Sequence, residues 1–500
     1  MQEKLDQLKA ILAEVYDLSS AAALLGWDQQ TYMPSAGAEG RGHQIATLEK
    51  IAHNKFTSDQ VGQLIEDLVA DLKQLDPDSD DACLIKVSDR EYKKQTRVTS
   101  EWVENFARET TIAHQVWEKA RSENNFAGFQ PNLERIFELR REYSAFFVPY
   151  EHVYDPILDD FEPGLKTADV QEIFKTLRPQ QVELIKAISE KPQVDDSFLR
   201  GEFDDRKQWD FGVSVITAFG YDWNRGRQDR AAHPFTESNG RDDVRITTRI
   251  YPDELTAGMF SSMHEAGHAL YELGVDHALA RSPLASGASL ALHESQSRMY
   301  ENLLGRSMPF WEFYYPRLQD TFPAQLGNVS LEDFYRGINK VEPSLIRVEA
   351  DEATYNLHVM LRLELEIALM ERSLEVKDLP EAWNAKMEQF LGVTPPNDAD
   401  GVLQDVHWSS GLIGYFSTYA LGNLISLQLW ELIQQDIPNL PDQVRKGQFG
   451  ELLEWLRRKV HRHGAKYEPQ DLIMRITGSK IDPVPYMRYL NNKYSQIYEL

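Results

Sequence analysis

Residues 252–273 read PDELTAGMFSSMHEAGHALYEL. Leu255, Met259, Met263, Ala266 and Leu270 recur at three- and four-residue spacing, the pattern of a helix that lays one stripe on a core. Pro252-Asp253-Glu254 predicts an acidic first turn and Gly274 a stop. His264 and His268 stand four positions apart beside the stripe, so they share a helical face and can hold one tetrahedral ion. Glu265, between them, is placed to act as a general base.

A catalytic zinc takes three protein ligands and keeps a fourth position for water. The third ligand is expected from Ser289-Leu290-Ala291-Leu292-His293-Glu294-Ser295-Gln296-Ser297-Arg298, read as a second helix after a turn through Gly274 to Gly287. Glu294 is the expected ligand and His293 the alternative. Neighbouring helical side chains point about 100° apart, so only one of the two faces the metal. A histidine six residues after His268 would indicate a three-histidine set, but that position holds Gly274. The competing reading makes His264 and His268 core histidines and Glu294 a surface charge.

Beyond this pair of segments, helical periodicity runs through Gln2 to Ser19, Ser100 to Asn124, Leu133 to Phe147, Leu357 to Leu374 and Gly414 to Gln435. Strand-like alternation is scarce and clearest in Val244 to Ile250, just before the metal helix. The expected fold is mainly α, with a small β-sheet beside the site whose edge can pair with an extended peptide. No Gly/Ser-rich, Pro-rich or low-complexity linker divides the chain, so residues 1–500 are read as one catalytic unit.

A net charge of −26 argues against nucleic acid as a partner, because phosphate binding needs basic patches. A single cysteine, Cys83, excludes an intrachain disulfide framework and fits a reducing cytosol. The N-terminus, Met1-Gln2-Glu3-Lys4-Leu5-Asp6, is charged from the start and no segment has the apolar length of a membrane span. A cytoplasmic protein with no membrane partner is expected.

Several motifs around these residues are similar to those of the carboxypeptidase Taq family of metallocarboxypeptidases. His233-Pro234-Phe235 resembles its HPF motif, and Asp243-Val244-Arg245-Ile246-Thr247 its DxRxT motif. His293-Glu294-Ser295-Gln296 matches the segment that carries its third ligand. Ile346-Arg347-Val348-Glu349-Ala350-Asp351 resembles IRxxAD, and Gly401-Val402-Leu403-Gln404-Asp405-Val406-His407-Trp408 resembles GxxQDxHW. All occur in family order. The stretches from Gly26 to Pro34 and from Asp482 to Tyr486 extend the likeness over nearly the whole chain.

The resemblance implies a large helical metallopeptidase fold, two lobes around a deep active-site cleft, similar in architecture to neurolysin and angiotensin-converting enzyme. It also implies a homodimer that releases single C-terminal residues from peptides with broad side-chain tolerance and poor action next to proline. Zinc is the expected cofactor, with cobalt a substitute in some members. The alternative is a zinc oligopeptidase cutting internal bonds.

An exopeptidase must bind the substrate's terminal carboxylate, and arginine's planar guanidinium does this with two parallel hydrogen bonds. The resemblance points to Arg347; the alternative is a structural ion pair with Glu349, Asp351 or another acid. Tyr419 resembles the family's substrate-binding tyrosine, a second donor for the oxyanion of the tetrahedral intermediate. His233 and His407 are candidates to touch substrate or to hold a ligand's second nitrogen. Arg245 either contacts substrate or is pinned by Asp243, which period-two spacing puts on its side of the strand.

Overall fold

The computed structural model describes all 500 residues and is mainly α-helical, with three short strands. The chain forms two compact units, each assembled from three stretches. The first comprises Met1–Thr96, Asp195–Ile338 and Leu429–Gly478, the second Arg97–Val194, Asn339–Gln428 and Ser479–Leu500.

The first unit opens with α1 (Gln2–Thr31) and α2 (Ala38–Phe56). Leu5, Leu8 and Leu12 form one face of α1 and pack in a cluster with Phe56, Val61, Ile65 and Leu68. The helix runs past Ser19, where the periodic stripe fades. Its continuation through Ala21-Ala22-Ala23 combines the intrinsic helix preference of alanine with burial of Ala22 and Trp27. Asp204 caps α3 (Asp205–Phe219) by accepting from the Lys207 amide, and Gly220 ends it at φ +103°. That angle is the left-handed conformation glycine adopts without a Cβ penalty.

The sheet has strand order β1-β3-β2, with β1 (Gln228–Arg230) parallel and β2 (Thr236–Ser238) antiparallel to the central β3 (Val244–Thr248). Thr236 faces Ile246 and Ser238 faces Val244 across the β2–β3 ladder. The strand predicted to run to Ile250 stops at Thr248. There the Thr248 hydroxyl donates to the Gly258 carbonyl at 3.0 Å and ties the strand's end to the next helix.

That helix is α4 (Thr256–Gly274). Leu255, Met259, Met263, Ala266 and Leu270 are all buried, as the stripe predicts. Its start differs from the expected one. Pro252, Asp253 and Glu254 are not its first turn. The Phe203 amide donates to the Pro252 carbonyl at 2.7 Å, the Gly201 amide to Asp253 at 3.0 Å, and Glu254 bridges Arg200. Backbone groups spent on that pairing cannot enter a helix. Gly274 is the last helical residue, and a Cβ there would lie 2.6 Å from the His461 side chain, so this glycine serves close packing.

Ser289 caps α5 (Leu290–Arg298) through its hydroxyl, which accepts from the Leu292 amide at 3.1 Å. The helix then widens into a π-helical turn, Met299–Leu304. A Cβ on Gly267 would fall 2.6 Å from the Gln296 carbonyl oxygen. Backbone therefore meets side-chain-free backbone where α4 and α5 cross, and this approach brings their functional faces together.

In the second unit, helices cover Ser100–Ser122 and Phe126–Ala145, the latter starting earlier than its periodicity predicts because Asn125 caps it ahead of Pro131. The helix α6 (Tyr355–Glu371) is buried along most of its length, including the polar His358, Arg362 and Glu366.

Candidate active site

On α4, the Nε2 atoms of His264 and His268 lie 3.2 Å apart. Oε2 of Glu294, on α5, is 3.6 Å from the first and 3.5 Å from the second. Three donors of the N, N, O type converging this closely fit a tetrahedral divalent metal centre with one position left over. The outer polar atoms of these three side chains are held. His264 Nδ1 lies 2.8 Å from Glu301 Oε2, and His268 Nδ1 lies 2.6 Å from His293 Nδ1. Arg298 donates to Glu294 Oε1 at 2.6 Å and to Glu301 Oε2 at 3.1 Å. Ligands fixed through their outer atoms are characteristic of metal centres.

The charge states suit the same role. Burial pushes the Glu294 carboxyl up, but Arg298 and His264 outweigh it and hold the group well below its ordinary value. Glu301 behaves alike and falls to about 2, burial being overcome by Arg298 and His264. Burial takes His268 down to about 3, so it offers a lone pair at neutral pH. Burial also opposes the proton on His264, but Glu294 and Glu301 raise its pKa, so a metal arriving there competes with a proton.

Glu265 is buried next to this cluster and accepts from the Thr236 hydroxyl of β2 at 2.7 Å. Burial raises its carboxyl above the ordinary value, against the lowering pull of His264 and Thr236. A carboxylate made more basic in this way is a better proton acceptor.

His293 is not among the three converging donors. Its Nδ1 is on His268 and its Nε2 lies 2.8 Å from Glu272 Oε1, so both nitrogens are engaged away from the cluster. Arg245 is pinned: Nε and Nη2 reach the two Asp243 oxygens at 2.7 Å each. Its guanidinium also lies 5.8 Å from the Trp27 ring, which packs at 5.3 Å on Phe235. His233, two residues before Phe235, is exposed.

In the second unit, Arg347 is buried and gives Nε and Nη2 to Asp405 Oδ1 at 3.1 and 2.9 Å, with Nη1 2.8 Å from the Tyr355 hydroxyl. Its acidic partner is thus Asp405, neither Glu349 nor Asp351. Asp351 is occupied in accepting from the Ala353 and Thr354 amides. Arg362 binds the other oxygen of Asp405 at 2.6 Å. Two guanidinium groups on one carboxylate leave one positive charge in excess. The Tyr419 ring lies 5.2 Å from the Arg347 guanidinium. His407, pulled down to about 4 by burial, packs at 4.6 Å on Phe416 with Nδ1 3.9 Å from Asp405.

Four residues of the cluster escaped the sequence reading: Thr236, Glu272, Arg298 and Glu301. Three carried a signal. Arg298 and Glu301 follow Glu294 by four and seven positions, and a helix stacks such residues on one face. Glu272 follows His268 by four positions on α4 and carried the same signal, whereas Thr236 reaches the cluster from β2 and carried none.

The carboxypeptidase Taq (M32) metallopeptidase family profile matches residues 7–494. The thermostable carboxypeptidase 1 of Thermus thermophilus is 40% identical over 491 residues, 96% of each chain, and the carboxypeptidase 1 of Bacillus subtilis is 37% identical over 493 residues, 98% of each. The crystal structure of an M32 carboxypeptidase from Deinococcus radiodurans superposes with a TM-score of 0.97 at 39% identity, over 100% of both chains. These likenesses run the length of the chain, and M32 metallopeptidases act on peptides with a divalent metal. The chain belongs to the carboxypeptidase Taq family and is a metallocarboxypeptidase, a hydrolase of peptide bonds.

Proposed function

We propose that the chain is a zinc carboxypeptidase that removes single C-terminal amino acids from peptides, with His264, His268 and Glu294 as metal ligands and Glu265 as general base. The observation that carries this reading is the convergence of the three donors beside a buried carboxylate of raised pKa. A divalent ion on those donors supplies Lewis-acid polarisation of the carbonyl and lowers the pKa of water. Glu265 takes the proton of the attacking water and passes it to the leaving amine. Thr236 holds the Glu265 carboxylate in place until it does so. The β2 strand closes one side of the sheet, and its outer edge is the stretch against which an extended peptide pairs.

Arg347 is the proposed anchor for the substrate's terminal carboxylate, supported by the excess positive charge it shares with Arg362 over Asp405. Tyr419 is the proposed second donor to the oxyanion and His407 and His233 are proposed substrate contacts, while the two bonds of Arg245 to Asp243 favour the alternative structural role for it. Broad side-chain tolerance, poor cleavage next to proline, use of cobalt in place of zinc, a homodimer and action of residues 1–500 as one catalytic unit follow from the family resemblance. Cytoplasmic residence is supported by the single cysteine, Cys83, which is buried. No helix is long and apolar enough to cross a membrane.

The test offers one peptide with a free or an amidated C-terminus to chelated enzyme, before and after zinc or cobalt is returned, and reads products by mass spectrometry. A metal-restored ladder of single C-terminal losses from the free peptide alone is expected. Internal fragments from both peptides would replace this reading with the oligopeptidase.

A further inference from the structure

His268 differs from His264 in what holds it. His264 meets a carboxylate, Glu301, directly, whereas His268 meets another imidazole, and the carboxylate Glu272 stands one ring farther away. Chemistry orders the protons along this path. His268 turns Nε2 to the ligand cluster, where it must offer a lone pair, so its proton sits on Nδ1 and is donated to His293 Nδ1. His293 then carries its own proton on Nε2 and donates it to Glu272. Reversing His293 alone sets two N–H groups against each other at 2.6 Å, and reversing His268 alone sets two lone pairs against each other.

The relay is built in. Glu272 is 4% exposed, and its Oε1 also accepts the Gly287 amide at 3.0 Å. The His293 ring packs 5.1 Å from the Tyr271 ring. A Cβ on Gly287 would lie 2.7 Å from His293 and 2.9 Å from Tyr271, so the turn leading into α5 closes on the imidazole itself. The arrangement also limits charge. Glu294, Glu301 and Glu265 already crowd the ligands with carboxylates, and a neutral imidazole passes on the hydrogen-bond polarity of Glu272 without bringing a further charge into contact.

We propose that His293 and Glu272 are positioning residues for the metal: they lock His268 in the Nδ1–H tautomer and couple ion capture to the Gly287 turn. The proposal rests on His264, His268 and Glu294 being the metal ligands, and it adds two residues that never touch the ion.

The experiment measures Zn2+ affinity of the full-length apo protein by competition with a chromophoric chelator, and the absorption spectrum of the Co2+ form. His293→Phe keeps the ring and removes both nitrogens, while His293→Gln returns an acceptor and a donor. The Phe variant should bind Zn2+ about 10- to 100-fold more weakly, with an altered Co2+ spectrum, and Gln should restore much of the loss. In the unaltered protein, added Zn2+ should slow hydrogen exchange at the Gly287 amide. A folded Phe variant that stays within about twofold of wild type overturns the proposal. So does a Gln variant no better than Phe, or a Gly287 amide indifferent to Zn2+, a measurement that needs no variant. Glu294→Ala separates the two levels. If it loses Zn2+ while His293→Phe does not, the relay alone falls; if neither changes binding, the metal site itself is misassigned and the relay goes with it.

Discussion

Arg298 sits between two carboxylates, the buried Glu294 and the half-buried Glu301, which α5 and the π-helical turn after it place on its own face. Each would be costly to bury alone, and the guanidinium that spans them holds both ionised. Arg298→Met should therefore destabilise the metal-free protein by about 3–5 kcal/mol, and less when zinc is bound, because the ion takes over neutralisation of Glu294. Urea unfolding with chelator and with zinc measures both numbers. Glu265→Gln tests a different property of the same neighbourhood. It keeps the shape and the contact with Thr236 but removes the base, so zinc should bind normally while kcat falls by about 10²–10⁴. Near-normal turnover of the metal-replete variant would exclude Glu265 as the base. At this scale the spacing of His264, Glu265 and His268 was legible because a helix repeats every 3.6 residues. The same geometry left room at the cluster for only one of Glu294 and His293, and the contact of His293 with Glu272 was not legible, since the two are aligned only once α4 and α5 are packed.

Between elements, the decisive contact is glycine on backbone. Gly267 lets α4 approach Gln296 and Ser297 of α5, with no room for even a methyl group. Gly267→Ala should cost about 1–3 kcal/mol by overpacking, and, by spreading the two helices, should weaken zinc binding as well. Thermal unfolding of the apo protein and zinc titration check the two effects separately; a loss of stability with unchanged zinc affinity would show that the crossing does not set the ligand geometry. The helix itself was readable from its apolar stripe, while its first turn was not. Pro252, Asp253 and Glu254 have the composition of a helix start, yet their backbone pairs with residues 200–203. A pairing partner some fifty positions away overrides a local propensity of a few tenths of a kcal/mol per residue. The short strand at Val244–Thr248 was found by alternation, whereas β1 and β2, three residues each, are too brief to carry a periodic signal.

For the whole molecule, acid stability should depend on the pair of arginines around Asp405 in the second unit. Burial alone would raise the Asp405 carboxyl, but Arg362 and Arg347 outweigh it and hold it far below 3.8. A depressed folded pKa means that this stabilisation is fully present above 3.8 and is lost as pH falls through the folded value. Asp405→Asn should cost about 3–5 kcal/mol at neutral pH and flatten the pH dependence of stability below the ordinary aspartate range. Urea midpoints of both proteins across that range decide it, and parallel curves would remove Asp405 as the source. The resemblance singled out Arg347, and its partner was left open among Glu349, Asp351 and other acids; Asp405 lies far along the chain and becomes the partner only through folding. By itself the sequence determined the chemistry: a helical repeat of about 3.6 residues obliges His264 and His268 to share a face, and the apolar stripe beside them obliges that helix to bury. Tertiary structure alone decided which groups hold His293, Glu265 and Arg347 in place. Glu272, Thr236 and Asp405 reach their partners across helices and strands whose approach is set by close packing at positions such as Gly267, and no local period encodes a contact between segments that far apart.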